Sequence, residues 1–115
     1  MNKPELHVSG GVYVLDFADE KIGVRMDRLD ESKQQVTAEI TVRTTLPGVA
    51  QHLHQARLNL TSTAARRTLA KALAERLSLD WDAILEYACV LVLQAHRQGE
   101  PAIRVGNLQR DTSGV

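Results

Sequence analysis

One cysteine, Cys89, in 115 residues rules out an internal disulfide. Its thiol sits in an apolar run, where cysteine is normally an inert core residue, and a lone thiol suits a reducing compartment. Aromatic side chains are scarce: Tyr13, Phe17, Trp81 and Tyr87 are all there are. The core must therefore be assembled from Leu, Val, Ile and Ala. Long apolar runs are missing as well. The longest, Ala88–Leu93, falls far short of the ~20 residues a membrane-spanning helix needs. The opening MNKPELHVSGG has no apolar segment of the secretory type, so a cytoplasmic location without membrane contact is expected. Net charge is absent too, since 14 basic residues balance 14 acidic ones.

What is present reads as a globular chain. A hydrophobic content of 43% separates it from disordered sequences, and its length corresponds to one domain. The charges are unevenly spread. Between residues 43 and 77 lie Arg43, Arg57, Arg66, Arg67, Lys71 and Arg76 against a single acid, Glu75. The flanking segments are acidic on balance. Such asymmetry marks either a surface for an anionic partner or a solvated basic face.

Periodicity supplies the elements. Gly10-Gly11 signals a turn, and Val12–Phe17 reads as a strand. From Ile22 the chain alternates, with Ile22, Val24, Met26 and Arg28 set against Gly23, Arg25 and Asp27. Asp30–Gln34 forms a hydrophilic turn cluster. In the next strand Val36, Ala38, Ile40 and Val42 face one way and Thr37, Glu39, Thr41 and Arg43 the other, which predicts an antiparallel hairpin. Leu46-Pro47-Gly48 ends it. Leu53–Leu60 alternates again, with His54, Ala56, Leu58 and Leu60 on one face; a short helix is the alternative there.

Thr61-Ser62-Thr63 offers N-caps for a helix over 64–77. Asp80 caps a second helix, whose broad apolar stripe comprises Trp81, Ile84, Leu85, Ala88, Cys89, Val92 and Ala95. Gly99 and Pro101 stop it. Ala102–Val105 reads as one more short strand, and 106–115 as a polar tail or linker. Strands followed by helices indicate an α+β fold over 1–105: a small antiparallel sheet of three to five strands with both helices on its dry face.

Complete chemical motifs are lacking. His52-x-His54 is the most metal-like feature, because a spacing of two on a strand puts both rings on one face. A zinc site still needs a third ligand and usually a fourth. No Gly-x-Ser-x-Gly elbow and no Gly-Lys-Ser/Thr phosphate loop occur, so neither an enzymatic activity nor a cofactor is expected. The serious anion candidate is the helix start, where Thr61, Ser62 and Thr63 precede Arg66 and Arg67. With Arg43, Arg57, Lys71 and Arg76 these residues make up the candidate nucleic-acid or anion contact.

The segments VRMDRL (24–29), TAEITVRTTLPG (37–48), HLHQARLNLTST (52–63) and LAERLSLDWDAILEYACVLVLQAHRQGEPAIRV (73–105) resemble a bacterial N-terminal module. That module precedes a RecA-like ATPase core in phage- or plasmid-associated replication proteins. No Walker segment accompanies it here. The resemblance implies a non-catalytic accessory domain that meets an ATPase, another replication partner or DNA. A protein–protein module or homodimer without nucleic-acid binding is the alternative.

Overall fold

In two places the chain reverses between adjacent strands with two residues, each at positive φ. Gly10 and Gly11 (φ 58° and 81°) join β1 (Leu6–Ser9) to β2 (Val12–Phe17). Lys33 and Gln34 (φ 51° and 66°) join β3 (Ile22–Ser32) to β4 (Gln35–Thr44). Two positive φ values make the tight turn whose twist matches that of the flanking strands. Between β2 and β3, Ala18, Asp19 and Glu20 also take positive φ. A longer connection through Pro47 and Gly48 (φ 80°) leads to β5 (His52–Asn59). The computed structural model describes residues 4–99. The strand expected at Ala102–Val105 and the polar tail lie outside them.

The five strands form one antiparallel sheet in sequence order, β1-β2-β3-β4-β5. Two helices follow, α1 (Thr63–Arg76) and α2 (Trp81–Gln98). Both pack on one face of the sheet, α1 against β5 and α2 against β2. The α+β expectation thus holds at the upper end of its strand range. β1 is too short and mixed to stand out in the sequence; register Leu6↔Leu15 and Val8↔Tyr13 puts its apolar residues on the helix side.

The caps are where the sequence suggests. The Ser62 hydroxyl accepts from the Ala65 N–H at 3.0 Å, and the Asp80 carboxylate accepts from the Ala83 N–H at 3.2 Å. Gly99, at φ 68°, ends α2 in the left-handed conformation that glycine adopts freely. The α2 stripe is buried in full, joined by Leu91. It meets Leu15, Phe17, Ile22, Val24, Met26 and Ile40 in one core. Each such side chain contributes about 1.5–3 kcal/mol by leaving water.

Two expectations need correction, both because of a bulge. Strict alternation places Arg28 with Met26 on the buried face. Instead the register runs Asp27↔Glu39 and then Asp30↔Thr37, so Arg28 and Leu29 together oppose Ala38. Arg28 takes φ 52° and stays exposed, while Leu29 packs against the core. Burying an unpaired guanidinium would cost far more than one irregular backbone step. β3 then continues to Ser32, through residues that read as a turn cluster. The actual turn shrinks to Lys33-Gln34.

The second bulge lies in β5, where Val42↔His54 is followed by Arg43↔His52. Leu53 is the extra residue and is buried. His52 therefore shares the face of Arg43, whereas His54 shares that of Val42 on the helix side. The two imidazoles are on opposite faces, contrary to the spacing-of-two expectation.

Candidate functional site

Helices cover only one face of the sheet. The other is open and carries mixed charge, as antiparallel sheets with one wet face commonly do. Two neighbouring cross-strand rows dominate its centre. One runs Val14↔Arg25↔Thr41↔Gln55, the other Asp16↔Gly23↔Arg43↔His52. All of these but Asp16, which flanks it beside Gly23, line a depression of about 350 Å³. Gly23 forms its floor, because the missing side chain leaves a gap in an otherwise filled row.

The arginines of this face differ in occupation. Arg25 pairs with Asp27 at 3.1 Å. Arg57 donates to the Arg28 carbonyl oxygen at 3.0 Å and to Thr37 Oγ1 at 2.9 Å. It thereby ties β5 to the β3 bulge and to β4. Arg43 has neither a hydrogen bond nor an ion pair among the described residues.

The candidate contact residues divide between two sides of the molecule. Arg43 and Arg57 lie on the open sheet face. Arg67, Lys71 and Arg76 are exposed on α1, in the layer behind the sheet. Arg66 is half-buried. Of the three hydroxyls before α1, Ser62 is occupied as N-cap, and Thr61 donates to Asn59 Oδ1 at 2.6 Å. Thr63 is exposed. The set does not assemble into one continuous basic surface, because the sheet separates its two halves.

Cys89 is buried, and burial pushes its thiol up to about 11, with the nearby Arg66 charge pulling the other way. At neutral pH the nucleophilic thiolate is therefore scarce. Among the described residues, no three His, Cys, Asp or Glu side chains gather as a metal ion would require.

Asp16, Gly23 and Arg25 escaped the sequence reading of the site. The available signal was Gly23, an isolated glycine inside an alternating strand, which often marks a bulge or a close approach. No family model, curated protein or solved structure matches this chain.

Proposed function

We propose that this chain is a non-catalytic accessory domain that acts through protein contacts, with the open sheet face as its docking surface. The observation that carries the reading is the one-sided helical layer. It leaves five strands' worth of aligned side chains facing outward, with no covering element among the described residues. The partner class comes from the sequence resemblance: a RecA-like ATPase of a bacterial replication or mobile-element system, with a cytoplasmic setting. The face has no aromatic side chain among the described residues and balanced charge, which suits a protein partner better than a stacked nucleic-acid strand.

Co-purification with the replication ATPase of the same replicon tests this. Thr41→Glu, at the centre of the open face, should weaken the complex at least about 10-fold, the loss of about 1.4 kcal/mol expected when a charge enters a docked surface. Retained binding in that variant, with loss in Lys71→Glu, would move the contact to α1.

A second reading rests on α1 itself. Arg67 and Lys71 sit one turn apart on its exposed side, and its first turn contains no acid. This pair suits weak DNA contact. Anisotropy titration with single- and double-stranded DNA should then show a log–log salt slope of about −1.5 to −2 for two phosphate contacts. Salt-independent signals would remove this reading.

A further inference from the structure

Three unusual features meet in one row of the sheet. The first is Gly23, in the interior of β3. Its backbone is ordinary extended strand, not the left-handed region, so any residue would fit. An added Cβ would touch only Asp16 Oδ1, at 3.6 Å. Packing therefore does not require glycine here, although glycine weakens a strand. The second is Arg43, next across the sheet. Its cross-strand neighbours are Gly23 and His52, neither of them an acid. Arg25 and Arg57 on the same face are both engaged, and Arg43 is not. The third is His52, which the Leu53 bulge turns onto this face. Bulges recur where a side chain must be re-aimed beside a functional site.

We infer that the depression over Gly23 binds a small phosphate monoester, with Arg43 as its principal anchor. The guanidinium offers a planar fork that matches two phosphate oxygens. His52 stands beside it, and Thr41 and Gln55 of the adjoining row add a hydroxyl and an amide. Gly23 lets the ligand sit on the backbone. The volume exceeds what a bare phosphate fills and falls at the small end of ligand sites. Asp16 lies outside the depression but flanks its floor, with Oδ1 3.6 Å from where a Gly23 Cβ would stand. Its carboxylate repels a bare anion but accepts from a hydroxyl or ammonium on an ester that extends past Gly23. The ligand class is thus a phosphate monoester bearing such a donor. This goes beyond the docking reading and needs no protein partner.

Isothermal and NMR titrations at low ionic strength test it, with inorganic phosphate, O-phosphoethanolamine and acetate as probes. O-Phosphoethanolamine should bind several-fold more tightly than phosphate, and acetate least. Arg43→Gln should weaken both phosphates at least 10-fold. Asp16→Asn should erase the preference for the amine-bearing ester while keeping phosphate binding. Gly23→Val should abolish binding without lowering thermal stability, since valine favours the strand and fills the floor. The inference is overturned if no probe saturates at millimolar concentration. It is equally overturned if Arg43→Gln binds like the parent, or if the shifts centre on Thr61–Arg67. Failure in any of these ways leaves the protein-docking reading intact.

Discussion

The indole Nε1 of Trp81 donates a 2.7 Å hydrogen bond to the carbonyl oxygen of Leu77. The first residue of α2 thus satisfies the end of α1, whose last carbonyls have no helical partner. Trp81 is also the largest fully buried side chain of the core. One residue therefore both links the two helices and fills the core they share.

Trp81→Phe should accordingly destabilise the domain by about 2–3 kcal/mol, through an unsatisfied Leu77 carbonyl and a smaller ring in a tight site. Urea unfolding checks it. The midpoint should fall while the slope stays constant, because the surface exposed on unfolding barely changes.

Arg57 is bonded to the Arg28 carbonyl and to Thr37, so its first duty is structural. Arg57→Met should cost about 0.5–1.5 kcal/mol, the usual net value of such a bond. Amide hydrogen exchange should accelerate around residues 28–30 and at Thr37, with α2 unaffected. Uniform acceleration across the domain would argue against a local role.

Lys33 and Gln34 occupy the left-handed region that favours Asn and Gly. Non-glycine residues there carry strain of about 1–2 kcal/mol each. The double change Lys33→Asn, Gln34→Gly should raise stability by about 1 kcal/mol, part of the relief being offset by greater freedom of glycine in the unfolded chain. A calorimetric melting point that rises by several degrees is the expected readout.

Cys89 should resist a thiol reagent at pH 8 in the folded protein and react on unfolding. Its thiol rises from an ordinary 9.0 to about 11 in the fold. The folded state therefore holds its proton more tightly than the unfolded state. This contribution is complete below pH 9 and is lost as pH climbs through about 11. Cys89→Ala, although less stable at neutral pH, should lose less stability than the parent between those values.

Much of the architecture was legible in local sequence. Alternation in Val36–Val42 is a direct consequence of strand geometry, and the stripe from Trp81 to Ala95 of helix geometry. The caps at Ser62, Asp80 and Gly99 depend only on neighbouring backbone groups. These follow from interactions within a few residues, so a single sequence contains them.

The site was decided elsewhere. Whether Arg28 points inward, or His52 joins Arg43 rather than His54, turns on a one-residue slip between strands. That slip reflects what would otherwise be buried against a partner far away in sequence, and alternation alone cannot report it. The basic residues between Arg43 and Arg76 share one stretch of sequence nearly free of acids, yet the sheet sets them on opposite sides. Local periodicity determined the elements and their apolar faces. Only tertiary pairing decided which polar side chains meet, because the cost of burying or pairing a charge depends on its neighbours in space.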